Sequence, residues 1–212
     1  INNSTISNNH TEGYGGGLAA CGFVDFRSSL KNITVLNSTI LSNSAGNRGG
    51  GLHSCTSDVT VINSTISNNH TEGHGGGLVA CNGLNFQWSI KNITVINSTI
   101  LSNSAGNGGG GLCSCYGNVT VNNSTISENR GRGLDYRTSY WDRSIIINNS
   151  TISGNRGGGA HLEMTTGGVT SINNSTISNN HSKYYGGGLY FTHDSRGKGY
   201  SVLINNSTIT RN

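Results

Sequence analysis

Asn3-Ser4-Thr5-Ile6-Ser7-Asn8-Asn9 is the stretch that decides the fold, because Asn-Ser-Thr-Ile-x-x-Asn returns with starts at Asn37, Asn63, Asn97, Asn123, Asn149, Asn174 and Asn206. Recurrence at related spacings marks a stack of similar units, each unable to bury its apolar face alone. Residues 3–62 and 63–122 are near-identical two-rung units, agreeing at about three quarters of their positions. Residues 123–212 continue the pattern in three more divergent rungs, so one continuous domain over residues 1–212 is expected.

Two further landmarks sit in every rung. Gly-Gly-Gly-Leu runs occupy Gly15–Leu18, Gly49–Leu52, Gly75–Leu78, Gly109–Leu112 and Gly186–Leu189, with shortened forms at Gly131–Leu134 and Gly157–Ala160. A β-branched run precedes the next motif at Ile33–Val35, Val59–Val61, Ile93–Val95, Val119–Val121 and Ile145–Ile147. Three short strands per turn fit these marks, which predicts an all-β, single-stranded parallel β-helix. Its about seven rungs, stacked at ~4.8 Å, would form a rod on the order of 34 Å long.

Neighbours on a strand face opposite ways, so Ile6 and its seven equivalents are expected to stack inside the coil. The Asn closing each motif (Asn9, Asn43, Asn69, Asn103, Asn129, Asn155, Asn180 and Asn212) is expected at the turn. Asn tolerates the left-handed conformation and its amide can bond the equivalent amide one rung away, giving an internal asparagine ladder.

The bulk composition agrees with a solenoid. Gly 33, Pro 0 and only 10% charged residues describe no ordinary globular domain. No apolar run approaches the ~18 residues of a membrane span. The net charge of +4 is scattered, so neither nucleic acid nor a membrane span is expected. The chain opens without Met and without a basic-then-apolar leader, which reads as a mature chain or an excerpt.

Gly-Gly-Gly-Leu paired with Ile-x-x-Asn resembles the polymorphic outer-membrane protein repeat, and more broadly the right-handed parallel β-helix proteins of the pectate-lyase-like class. The resemblance implies a right-handed coil. It implies little about function, since that scaffold carries adhesins, surface proteins and polysaccharide enzymes alike.

Cys21, Cys55, Cys81 and Cys115 each follow a Gly-box Leu by three residues and so share one phase on four rungs. Stacked neighbours would lie inside the Cα window for disulfides. Cys21–Cys55 with Cys81–Cys115 is the expected pairing, Cys55–Cys81 the competing one, and Cys113 is left unpaired or intermolecular. No His column accompanies the cysteines, so no metal site is expected.

Sequons abound because a turn Asn followed by Ser or Thr creates them. Asn32, Asn92 and Asn118 precede an inward residue and should point outward. With the motif-initial Asn3, Asn37, Asn63, Asn97, Asn123, Asn149, Asn174 and Asn206 they are the glycosylation candidates, whereas the ladder Asn should be unmodified.

A Thr column (Thr5 and equivalents) flanks the inward Ile and resembles the Thr arrays of β-helical ice-binding proteins, though Leu41 and Leu101 interrupt its neighbouring column. His10, His70 and His181 read as turn residues. Asp25, Asp58, Asp135, Asp142 and Asp194 are single, without the paired or clustered carboxylates of glycoside hydrolysis or Ca²⁺-assisted lysis. No catalytic residue and no cofactor is therefore expected. Aromatics concentrate between the Gly-rich and third strands, among them Phe23, Phe26, Phe86, Trp88, Tyr136, Tyr140, Trp141, Tyr190, Phe191 and Tyr200. They are expected to project from one edge, and Trp88, Trp141, Tyr140, Tyr190 and Phe191 are the candidate binding aromatics.

The function these features point to is a secreted or cell-surface structural rod, not an enzyme. It would be N-glycosylated and stack head to tail with copies of itself. An adhesin-like or carbohydrate-binding module using the aromatic insertions is the alternative.

Overall fold

The computed structural model describes residues 1–21, 32–81, 91–137, 143–164, 167–193 and 199–212. These residues form a parallel β-helix. Strands of three sheets follow one another around the coil, and every strand pair is parallel.

The first sheet holds eight Thr-Ile-Ser or equivalent triplets, from Thr5–Ser7 to Thr208–Thr210, in strict chain order. Ile6, Ile40, Ile66, Ile100, Ile126, Ile152, Ile177 and Ile209 align one above another. The second sheet carries the Gly-Leu boxes and the third the β-branched runs from Asn32–Leu36 to Ser201–Asn205. No strand needs more than one inward side chain in two, because each rung lends its neighbours both faces of a buried layer. Val35, Val61, Val95, Val121 and Ile147 are fully buried opposite the Ile column. Each such side chain contributes roughly 1.5–3 kcal/mol.

The asparagine ladder runs unbroken from Asn9 to Asn212. Each amide nitrogen donates to the next rung's Oδ1 at 2.9–3.2 Å, and the same Oδ1 accepts the backbone N–H of the Asn before it. The six interior members are buried, as expected. The expected left-handed turn at these residues is corrected. Positive φ falls on the residue before, at Asn8, Ser42, Asn68, Ser102, Glu128, Gly154, Asn179 and Arg211, and again on every motif-initial Asn. The ladder Asn itself must aim inward to reach its neighbours, so the reversal is completed one residue earlier.

A second ladder was not expected. Ser38, Ser64, Ser98, Ser124, Ser150 and Ser175 are buried, each Oγ accepting the preceding rung's Ser N–H and donating to the carbonyl two residues back. Polar side chains at both ends of the Thr-Ile strand thus satisfy backbone groups that the turns would leave unpaired.

Glycine in the second sheet is required by close approach. A Cβ on Gly76 would lie 2.5 Å from the carbonyl oxygens of both Gly110 and Ser104. Gly76→Ala should therefore cost about 2–3 kcal/mol through a backbone shift, read as a lowered denaturation midpoint. Gly199→Ala, which meets nothing within 4 Å, should leave the midpoint in place.

Candidate functional site: the outer strip of the glycine-leucine sheet

The residue after the Leu or Ala of each Gly box points away from the coil. Register places Ala19, His53, Val79, Cys113, Asp135, His161 and Tyr190 in one column. Outward here does not mean exposed: His53, Val79, Cys113 and Asp135 are all buried. Tyr14, from the corner one strand earlier, stacks on His53 at 5.1 Å between ring centroids.

Asp135 is the electrostatic centre. Its Oδ1 accepts from Arg132 Nη1 at 2.7 Å and lies 3.1 Å from His161 Nδ1. Oδ2 is ion-paired to Arg137 at 3.1 Å without a directed hydrogen bond. Burial alone would raise this carboxyl, but the His161 hydrogen bond and the two guanidinium groups outweigh it and hold the carboxyl below its usual range. His161 Nε2 in turn lies 3.4 Å from Thr192 Oγ1.

Beyond His161 the strip becomes aromatic. The imidazole stacks on Tyr190 at 4.9 Å and Tyr190 on Tyr185 at 4.5 Å, while Tyr184 is 75% exposed with Lys183 over its ring. Of the two candidate binding aromatics among the described residues, Tyr190 joins this patch. Phe191 is corrected to a core-facing residue: it has the inward parity of Leu189 and packs against the buried cluster. Tyr136 likewise does not project but is fully buried, in register with Ser114 and Leu162. Phe23, Phe26, Phe86, Trp88, Tyr140 and Trp141 lie outside the described residues, as do Asp25, Asp142 and Asp194.

The disulfides are Cys21–Cys55 and Cys81–Cys115, with Cα atoms 4.8 and 5.0 Å apart. Cys113 is a buried free thiol, pushed up to about 12 by burial and by the charge of Asp135. No column of histidines stands beside the cysteines among the described residues, but a single imidazole does. His53 brings Nδ1 to 3.4 Å from Cys21 Sγ. Burial lowers its pKa to about 4, against the opposing hydrogen bond to the Cys81 carbonyl. Because the folded value is depressed below the ordinary 6.5, the neutral form's stability is fully present above pH 6.5. It is lost as pH falls from there towards 4, by up to about 3 kcal/mol. His53→Gln should flatten that segment of a melting-temperature titration.

Three groups of ligand atoms among the described residues lie within 4.8 Å of one another: Cys21, His53 and Cys55; Cys81, Cys113 and Cys115; and His74, Cys113 and Asp135. His10, His70 and His181 are exposed and belong to none of them.

The motif-initial Asn column is exposed along its whole length. Asn32 is also exposed, whereas Asn92 and Asn118 are half-buried in a second polar stack. There Asn92 Nδ2 donates to Asp58 at 3.1 Å, and Asn118 Oδ1 accepts the Ser144 N–H. This stack borders a polar groove of about 370 Å³ lined by Thr34, Thr60, Thr94 and Thr120. The Thr5 column is in register along the first sheet, exposed at its ends and half-buried between.

The segment 174–192 contains both boxes of the grammar, Ile177 to Asn180 and Gly186 to Leu189. Residues 174–192 match the Chlamydia polymorphic membrane protein (Chlamydia_PMP) repeat. That one segment is similar to the polymorphic membrane protein repeat, and it is set in an all-parallel β-helix whose other rungs present the Ile-x-x-Asn box with full or shortened Gly boxes. Searches of curated proteins and of solved structures found no match to the chain. No helix among the described residues is long and apolar enough to cross a membrane.

Proposed function

We propose that this chain is a surface-displayed structural rod, a rigid β-solenoid segment of an extracellular fibre or coat. The observation that carries the reading is the unbroken axial lattice, three parallel sheets and two side-chain ladders all running the same way. Such a lattice resists bending and shear and can accept another rung at either face. The last rung leaves Leu203 52%, Ile204 42% and Ile209 44% exposed. A further rung, from the same polypeptide or a second copy, would cover this apolar edge. The polymorphic membrane protein repeat supports display at a cell surface.

N-glycans fit best on the motif-initial Asn column and on Asn32, all exposed, and less well on Asn92, whose amide nitrogen is committed to Asp58. Peptide mass mapping before and after enzymatic deglycosylation should place the sugar on these positions; sugar on the buried ladder sequons Asn69 or Asn180 would contradict the geometry. The rod itself is tested by negative-stain electron microscopy. Particles should lengthen at constant width as concentration rises, and Ile209→Lys should stop the lengthening. Particles of fixed length at every concentration would refute axial stacking.

The second reading rests on the Tyr185–Tyr190–His161 stack. The exposed Tyr185 ring, braced by the half-buried Tyr190 and His161, offers an apolar face with a polar rim, the surface that sugars and protein partners use. A glycan array on which Tyr185→Ala binds no less than the parent would exclude this patch. Neither reading includes catalysis. The Asp135–His161–Thr192 order resembles a nucleophilic relay, but two guanidinium groups already neutralise the carboxylate that would have to stabilise an imidazolium.

A further inference from the structure

Each disulfide has a third ligand-type side chain beside it, at the same place in each repeat copy. His53 and Cys113 directly follow Leu52 and Leu112, equivalent positions of units 3–62 and 63–122. Where these otherwise similar copies differ here, one metal-ligating residue type replaces another. His53 accompanies Cys21 and Cys55; Cys113 accompanies Cys81 and Cys115.

The histidine is oriented as a ligand would be. Its Nε2 lies 3.1 Å from the Cys81 carbonyl oxygen, which can only accept, so Nε2 carries the hydrogen. Nδ1 is left with its lone pair, 3.4 Å from Cys21 Sγ and 3.7 Å from Cys55 Sγ. Metal-binding imidazoles are held in this way, the far N–H fixed on a backbone carbonyl. Within each group the three ligand atoms lie inside 4.8 Å of one another. Bonds of 2.0–2.3 Å to a tetrahedral ion need separations of ~3.6 Å, within reach of small side-chain rotations. Cys21 is exposed and Cys55 and Cys115 half-buried, which leaves a path for entry.

We propose that the reduced protein binds one zinc-type cation through Cys21, His53 and Cys55 and a second through Cys81, Cys113 and Cys115. Disulfides and metal sites are then alternative states of the same six side chains. A phosphine with water supplies two electrons and two protons to each disulfide, giving two thiols and leaving as phosphine oxide. Zn²⁺ then displaces two thiol protons at the first site, for a net charge of zero. At the second it displaces three, for a net charge of −1, which the nearby Arg137 and Arg48 offset. Three protein ligands leave the fourth position to water. His74 and Asp135 also lie near Cys113, but Asp135 is already held by Arg132, Arg137 and His161.

The test is anaerobic titration of the phosphine-reduced full chain with Co²⁺, read by thiolate-to-cobalt charge transfer and tetrahedral d–d absorption, then bleached with Zn²⁺. Two equivalents are expected in the reduced chain and none in the oxidised chain. His53→Ala and Cys113→Ala should each leave one equivalent, and His74→Ala two. Should an alanine variant fail to fold, His53→Cys keeps the question open: it should retain two equivalents with stronger charge transfer. No binding after reduction, equal binding when oxidised, or loss of the second equivalent in His74→Ala would overturn the assignment.

Discussion

Asn103→Ala is expected to lower the unfolding free energy by about 4 kcal/mol, measured by denaturant titration of the β-sheet circular dichroism signal. The side chain donates to Asn129 Oδ1 at 3.2 Å and to the Ile66 carbonyl at 2.9 Å. Its Oδ1 also accepts both the backbone N–H and the amide N–H of Asn69, each at 3.0 Å. Alanine leaves the Asn69 backbone N–H buried without an acceptor and removes a donor from the Ile66 carbonyl. Each such orphan costs about 1–3 kcal/mol, to which the lost volume adds. Asn32→Ala, on an exposed strand position, should change stability by no more than ~0.5 kcal/mol. Equal effects at the two positions would remove the ladder from the account.

Asp135→Asn comes second, with an expected loss of about 3 kcal/mol at pH 7, since removing one partner from a buried ion pair leaves the rest uncompensated. Arg137, 42% exposed, regains water and moderates the loss; Arg132, 20% exposed, regains less. The pH dependence has a definite sign. The folded carboxyl titrates below its unfolded value of ~3.9, so its stabilisation is present above that value and is lost as pH falls through the folded pKa. Parent and Asp135→Asn stability curves should stand apart at neutral pH and converge below pH ~4. Parallel curves down to the acid limit would show that the carboxylate is not what Arg132, Arg137 and His161 stabilise.

The coil was legible because its determinants are local and repeated. Ile6, Leu18 and Val35 recur at one phase each, and parity alone turns them inward. The same phase argument put Cys21, Cys55, Cys81 and Cys115 in one stack, which allows the observed Cys21–Cys55 and Cys81–Cys115 but equally the competing Cys55–Cys81, since every stacked neighbour is within reach. The left-handed residue was misplaced because Asn permits positive φ but does not require it. Ladder bonding claimed Asn9 and its equivalents, and the turn passed to whatever stood before, even Glu128 and Arg211.

The functional strip was harder to read, although its signal was present. His53, Cys113, Asp135, His161 and Tyr190 all follow the last residue of a Gly box, and parity turns them outward. The burial of His53, Cys113 and Asp135 could not be inferred from parity, since cover such as that of Tyr14 over His53 comes from a corner that no strand pattern places. Tyr136 and Phe191 were misread because composition marked them as insertion residues, whereas two residues past Leu134 and Leu189 parity returns them to the core. The Ser ladder was hidden for the opposite reason: Ser38 and its equivalents look like ordinary turn residues until their backbone partners are traced.

The ladders, the disulfides and the outer strip all depend on the rungs stacking as one coil in fixed register, and engineered cross-linking on the first sheet tests that most directly. Thr125 and Thr151 are Cα partners on adjacent rungs, and Thr151 pairs in turn with Thr176. The double variant Thr125→Cys with Thr151→Cys should form a disulfide quantitatively on mild oxidation, scored by peptide mass mapping. Thr125→Cys with Thr176→Cys, two rungs and ~9.6 Å apart, should form none. Failure of the first pair to link, or linkage of the second as readily, would contradict the coil.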